Sequence, residues 1–325
     1  MNKLATIAGG STLIYVGLAI LMGVLPGIEL SRTPPGQGVE PLTALQAEGR
    51  EVYVANGCSY CHTQQVRPLD QDKAFGRPSA PGDFAYQTPA LLGSQRTGPD
   101  LTNIGTRQPS EVWQYIHLYN PRSLVPASIM PAFDWLFEVV EAAPSGTTAV
   151  ALPKAYAPAH GVVIPTREAT ALVAYMASLK QPPLSDTVAV ARSTGVSTDQ
   201  ATSASAAVQA ATGSYDAAKG RALYTANCAP CHQASGEGVP GAFPPLKGNG
   251  AVNRDDVVPH IRIVLYGLKG AKVGGFDYAS PMPAFAGTLG DDGIANIINY
   301  ERSSWGNHGK PVTLAQVAAE RARPQ

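Results

Sequence analysis

This 325-residue chain has four cysteines, and they fall in two identically spaced pairs, Cys58 with Cys61 and Cys228 with Cys231. A histidine follows each pair directly, His62 in the first and His232 in the second. Cys-x-x-Cys-His is the pattern of c-type haem attachment. Two thiols at this spacing can add to the two vinyl groups of one porphyrin, and the next residue can then bring its imidazole to the iron. A redox-active dithiol and half of a zinc site use the same cysteine spacing. Neither requires a histidine after both pairs, and the chain has no further cysteine to complete a zinc site. A disulfide framework belongs to short, cysteine-dense secreted chains.

A haem held through one histidine has a sixth position to fill. Electron carriers fill it with a methionine thioether, which raises the reduction potential. The tetrapeptide Met-Pro-Ala-Phe occurs twice, at 130–133 and at 282–285, in a chain with five methionines. Proline fixes φ and stiffens such a turn, so Met130 and Met282 are the expected axial partners of His62 and His232, with the phenylalanine packing behind. Met22 lies in an apolar run and Met176 on the apolar face of a helical pattern, so both read as packing residues. Iron-bound histidine usually donates its other ring N–H to a carbonyl or carboxylate. The Pro-Leu elements near Pro99 and Pro245 are candidates to accept it. Arg96, Arg107 and Arg122 are candidates to neutralise haem propionates. His117 reads as structural, and His160, His260 and His308 as lone residues with no partner pattern. No catalytic acid, base or nucleophile stands out, and no extra distal histidine argues for a peroxidase.

The elements around these residues repeat. "EGREVYVANGCSYCH" ends at His62 and "KGRALYTANCAPCH" at His232, with Gly57 the one extra residue in the first. Each copy continues through a Pro-Leu element and the methionine turn to a helical pattern, at 166–180 and 291–303, with Thr166 and Asp291 as the expected caps. A period this long means a duplicated domain rather than a solenoid. The expected fold is mainly α: an N-terminal transmembrane helix followed by two globular units, both of which resemble class I cytochrome c domains. Residues 4–28 carry no charge, and as a helix they reach roughly 37 Å, more than a hydrocarbon core of about 30 Å. A signal peptide has a shorter apolar region, about 7–15 residues, and a small-residue cleavage site. The expected organisation is an anchor at 1–30, a stem at 31–41 holding Pro34, Pro35 and Gly36, and a first haem domain at 42–180. A Ser/Thr/Ala-rich linker at 181–214 and a second haem domain with a polar tail at 215–325 complete it. Lys3 favours a cytoplasmic N-terminus. Equal numbers of acidic and basic residues, 24 of each, give no support for nucleic-acid binding.

The first half carries a closer resemblance. "EGREVYVANGCSYCHTQQVRP", the insert through "FGRPSAPGDFAYQTP", "LLGSQRTGPDL" and "HLYNPRSLVPASIMPAFDWLF" together resemble the membrane-anchored cytochrome c subunit (subunit II) of cbb3-type haem–copper oxidases. The resemblance implies Cys58 and Cys61 as thioether attachments, with His62 and Met130 as axial ligands. That subunit has one haem; this chain adds a second domain, whose Cys228, Cys231, His232 and Met282 follow the general cytochrome c pattern. Two covalently bound haem c groups are therefore expected. The implied role is electron relay in a bacterial cytoplasmic membrane, single-pass, with both haem domains in the periplasm. Electrons would come from a soluble cytochrome c or a quinol-oxidising complex and pass to a haem–copper catalytic subunit. The insert at 64–96, absent from the second domain, is the expected docking surface. The cytochrome subunit of nitric-oxide reductases is built on a similar plan, and a haem-based redox or gas sensor is the alternative of another class.

Overall fold

The computed structural model describes residues 3–182, 215–273, 275–278 and 280–323. Of the expected linker, only Gln181 and Pro182 are among them. By packing, the chain divides into two compact units. One takes residues up to Thr43, Ser59–Thr102 and the segment from Gln181; the other takes Ala44–Cys58, Asn103–Lys180 and the described residues from 215 onward.

The first unit begins with helix α1 (Lys3–Ala19), a π-helical turn (Ile20–Val24) and α2 (Leu25–Ser31). The run Lys3–Glu29 is long and apolar enough to cross a membrane. All of its residues are exposed, leucines and isoleucines included. A helix apolar on every side is stable only when something apolar surrounds it. The rest of the unit has little regular structure. It is held by 3-10 turns at Asp70–Phe75 and Pro81–Phe84 and by charge pairs. The Arg77 guanidinium meets the Asp83 carboxylate through two donors, at 2.8 and 2.6 Å. Asp72 and Asp100 are fully buried, which their arginine partners make tolerable.

The second unit is helical. In chain order it contains α3 (Ala44–Ala55), α4 (Ile104–Arg107), α5 (Glu111–Tyr119), α6 (Arg167–Ser178), α7 (Ala217–Asn227), α8 (Ala229–His232), α9 (Gly250–Asn253), α10 (Val258–Tyr266), α11 (Asp291–Ser303) and α12 (Leu314–Arg321). Two short antiparallel hairpins, β1–β2 (Phe137–Val140 with Val162–Pro165) and β3–β4 (Ala271–Val273 with Phe276–Tyr278), are additions to the mainly α expectation. The starts of the helices follow their capping residues. Ser110 caps α5, Thr166 caps α6 and Asp216 caps α7, each side chain accepting from a backbone N–H three residues on. Asp291 is a first-turn residue rather than the cap, which is Gly290.

The duplication is visible in the packing. α3 crosses α6, and α7 crosses α11. Tyr53 meets Tyr175 edge-on at 5.6 Å in the first pair, and Tyr224 meets Tyr300 at 5.2 Å in the second. α6 buries Ala169, Leu172, Val173, Tyr175 and Met176, so Met176 is a core residue as expected. The core beside α11 contains Ile294 and Ile298 with Val264 and Leu265 of α10. Burying one such side chain contributes about 1.5–3 kcal/mol.

Candidate haem sites

His62 follows α3 and the 3-10 turn Cys58–Tyr60. Its Nδ1 lies 2.8 Å from the Pro99 carbonyl. A carbonyl can only accept, so Nδ1 carries the proton and Nε2 keeps its lone pair. The loop holding that carbonyl is tied to the motif by backbone bonds. Gly98 N–H donates to Cys61 O at 2.9 Å and Leu101 N–H to Thr63 O at 2.8 Å. Gly98 lies flat on the imidazole: a Cβ there would stand 2.2 Å from His62 Cε1. Cys58 is half-buried and Cys61 exposed, and none of the four cysteines is in a disulfide.

Arg96 is committed elsewhere than the expected propionate role. Its Nε donates to Thr63 Oγ1 at 2.8 Å, and its Nη2 to Gln65 O at 2.8 Å and to Asp100 at 3.2 Å. Its Nη1 pairs with Asp72. Arg67, the larger influence, and then Arg96 hold the Asp72 carboxyl well below the usual carboxylate range. This cluster fastens the insert to the residues after His62.

Met130 belongs to the other unit. Its N–H donates to Ser128 Oγ at 3.3 Å, and the Phe133 N–H donates to Leu118 O near the end of α5 at 2.9 Å. The second methionine turn is held alike: Phe285 and Ala286 N–H donate to Val264 and Leu265 O near the end of α10, at 3.1 and 3.0 Å. There Met282 also pairs with Leu268 through both backbone groups, at 2.8 and 3.2 Å.

The second motif is built on α7 and α8, with Cys228 closing one and capping the other. His232 Nδ1 lies 2.8 Å from the Pro244 carbonyl, one residue before the proline anticipated. Cys228, Cys231, His232 and Met282 all line one cleft. Burial pushes the Cys231 thiol up to about 12 and raises the Cys228 thiol well above its usual value. Reactive dithiols need the opposite, a thiol pKa lowered towards neutrality. Burial also lowers the His232 pKa, which keeps the imidazole neutral and able to bind a metal. Two thiols outside any disulfide, a neutral imidazole with its outer nitrogen engaged, and a thioether on the walls of one cleft fit haem c. The Met-containing set is a ligand set of low-spin electron carriers.

Residues 2–152 match the family model described as cytochrome c oxidase, mono-haem subunit/FixO, and residues 217–305 match the cytochrome c model. Cytochrome c-552 of Thermus thermophilus is 39% identical over 115 residues, which is 33% of this chain and 86% of that protein. The chain belongs to the cytochrome c family. It carries a FixO-type domain, the mono-haem subunit type of cbb3 oxidases, and a class I cytochrome c domain behind an N-terminal apolar helix. Other relatives of this cytochrome c are dehydrogenase subunits. The cytochrome c subunit of a quinone-type alcohol dehydrogenase from Gluconobacter oxydans is 35% identical over 104 residues, 32% of this chain and 22% of that one. The fructose dehydrogenase cytochrome subunit of Gluconobacter japonicus is 28% identical over 284 residues, 82% of this chain and 49% of that one. This is an electron-transfer cytochrome c with covalently bound haem c, of a kind that serves as a subunit of membrane complexes.

Sequence reasoning missed one buried pair. His260, read as a lone histidine, places Nε2 2.8 Å from Glu301 Oε2, with both side chains buried. The two residues come from α10 and α11, and no local motif joins them. His117 stacks on Trp113 at 4.5 Å, in keeping with its structural reading.

Proposed function

We propose that this cytochrome c is a dihaem electron-relay subunit of a cbb3-like membrane haem–copper oxidase. The observation that carries the reading is the FixO match over residues 2–152, which contains both the first Cys-x-x-Cys-His motif and Met130. In this reading Cys58 and Cys61 attach one haem, with His62 and Met130 on its iron. Cys228 and Cys231 attach the other, with His232 and Met282. Bound haem c supplies a one-electron iron centre. The chain supplies the rest: the Pro99 and Pro244 carbonyls orient each imidazole, and the proline turns present each thioether. The anchor would cross the bacterial cytoplasmic membrane once, with haem domains at 42–180 and 215–325 in the periplasm, joined by the Ser/Thr/Ala-rich linker at 181–214, which from residue 183 lies outside the described residues. The second domain would receive electrons from a soluble cytochrome c or a quinol-oxidising complex, and the first would deliver them through the insert at 64–96 to the catalytic subunit.

A second reading, an acceptor subunit for a membrane dehydrogenase, is favoured by the similarity to the fructose dehydrogenase cytochrome subunit across 82% of the chain. Affinity purification of the tagged full-length chain from solubilised membranes separates the two. Co-purification of a haem–copper subunit supports the oxidase reading; a dehydrogenase catalytic subunit in its place sinks it. Rapid-mixing reduction of single-haem variants tests the direction. If Met282→His leaves electron entry from the donor unchanged, the second domain is not the entry port.

A further inference from the structure

The segment after residue 305 lies outside the stretch that matches the cytochrome c family model, and its composition reads as a polar tail. It folds instead into helix α12, opened by a capping box in which Thr313 and Gln316 satisfy each other's backbone N–H groups. Val317 is fully buried and Val312 nearly so, in the core formed by Val264, Leu265 and Ile294. Met282 and Phe285 pack against the same core.

The last turn of α12 grips the chain on both sides of Met282. Arg321 Nε donates to Asp291 Oδ1 at 2.6 Å and Nη2 to the Leu289 carbonyl at 2.8 Å. Its Nη1 donates to the Ala286 carbonyl. These two carbonyls belong to the turn that leaves the methionine tetrapeptide, where Leu289 N–H also donates to Phe285 O at 2.9 Å. On the other side, Tyr266 Oη donates to the Glu320 carbonyl at 2.9 Å. Tyr266 precedes Gly267, whose Cα admits no Cβ because the Met282 carbonyl would lie 2.5 Å away, and Leu268, which pairs with Met282. The first methionine turn has a different continuation. Phe133 leads through a 3-10 turn straight into β1.

We propose that α12 is a strap for the second methionine turn, with Arg321 the positioning residue that keeps the Met282 thioether on the iron of the second haem. This rests on Met282 being an axial ligand. A guanidinium donating to two carbonyls and a carboxylate is a charge-assisted, geometrically fixed clamp. Without it, the turn is held by its backbone bonds to α10 and to Leu268, and the thioether can swing away and open the sixth position.

The test uses the full-length haem-loaded protein in detergent, with two spectroscopic readouts. These are the Met-to-iron charge-transfer band of the oxidised form and carbon monoxide binding to the reduced form. Met282→Ala defines the share of the band due to the second haem. Arg321→Ala is expected to remove at least half of that share and to raise carbon monoxide affinity tenfold or more at one haem. Arg321→Lys, which keeps the charge but loses the fork, should fall between. Asp291→Asn leaves both carbonyl bonds and should keep the band. If Arg321→Ala retains the full band and excludes carbon monoxide, the strap is wrong. It is equally wrong if Asp291→Asn loses as much band as Arg321→Ala, since general loosening would then be the cause. Should Arg321→Ala not accumulate, Tyr266→Phe loosens the strap from its other end. It should raise carbon monoxide binding several-fold, and wild-type behaviour there overturns the proposal. If instead Met282→Ala leaves the band intact, the ligand assignment itself fails.

Discussion

Gly49 sits directly against the carbonyl of Ala171. A Cβ added to it would fall 1.9 Å from that oxygen and 2.8 Å from the Tyr175 Cβ. The second copy repeats the arrangement: a Cβ on Gly220 would fall 2.5 Å from the Asn296 carbonyl and 3.1 Å from the Tyr300 Cβ. Each glycine lets two helices touch backbone to backbone, and each crossing carries the chain into a Cys-x-x-Cys-His motif. Alanine would gain about 1 kcal/mol of helix propensity. Overpacking a close crossing costs about 1–3 kcal/mol, and more where backbone must move. Gly49→Ala and Gly220→Ala should therefore lower stability, the first more than the second because its contact is closer. Thermal melts of each variant check this. A loss of 1 kcal/mol shifts Tm by about 4–8 °C for a domain of this size class, and a Tm raised by either alanine would refute the packing argument.

Gly98→Ala should disturb only the first haem site. Its Cβ would press on the ring of His62, 2.2 Å from Cε1, so the imidazole must tilt off the Pro99 carbonyl. In the second site the residue before the accepting carbonyl is Phe243, which shows that the position needs a glycine only where it lies under the ring. The expected result is a changed axial-ligand spectrum and a shifted midpoint potential for one haem, with the other unaltered. Potentiometric titration followed by visible absorption separates the two. A variant with both potentials unchanged would mean that the His62 ring is free to move without consequence.

The Asp72 cluster sets an acid limit on the insert. Two arginines hold the Asp72 carboxyl below its ordinary range. A lowered folded-state pKa means that the contribution is present in full above the unfolded value of about 3.9 and is lost as pH falls through the folded value. Asp72→Asn should thus melt lower than wild type by an amount constant from pH 8 to about pH 5. That gap should narrow only below about pH 4. Melting curves of both proteins across this range decide it. A gap that closes between pH 8 and pH 6 would assign the effect to another group.

The residues proposed for covalent and ligand chemistry stand out in the sequence because their logic is local. Three residues make a haem attachment motif, and four make a methionine turn, wherever the chain carries them. The Pro99 carbonyl was legible for a similar reason, since a Pro-Leu element follows each motif, although the accepting carbonyl stands 37 residues after His62 in the first copy and 12 after His232 in the second. The second carbonyl fell one residue early, at Pro244, because two consecutive prolines offer two carbonyls and only the loop path chooses between them. Arg96 misled for an electrostatic reason: a lone arginine near a haem motif reads as a propionate partner until two buried carboxylates, Asp72 and Asp100, claim it. The C-terminal helix misled by composition. Val312 and Val317 are too sparse to show an apolar face, yet both are buried. What was illegible throughout was pairing between elements distant in sequence.

His260 and Glu301 are the sharpest case of such pairing, and they carry the last prediction. Their side chains meet at 2.8 Å between α10 and α11, each about 5% exposed or less. A buried pair of this kind is weak evidence for net stability, because desolvating both groups offsets much of their attraction. Removing one partner is another matter, since it strands the other polar group away from water. His260→Leu should therefore destabilise the part of the fold built on α10 and α11 by about 3–5 kcal/mol. His260→Leu with Glu301→Leu should cost clearly less than the sum of the two single changes. The coupling, read from a double-mutant cycle of denaturant melts, should fall at about 0.5–3 kcal/mol. Strict additivity would mean that the two groups do not support each other and that the close approach is incidental to packing.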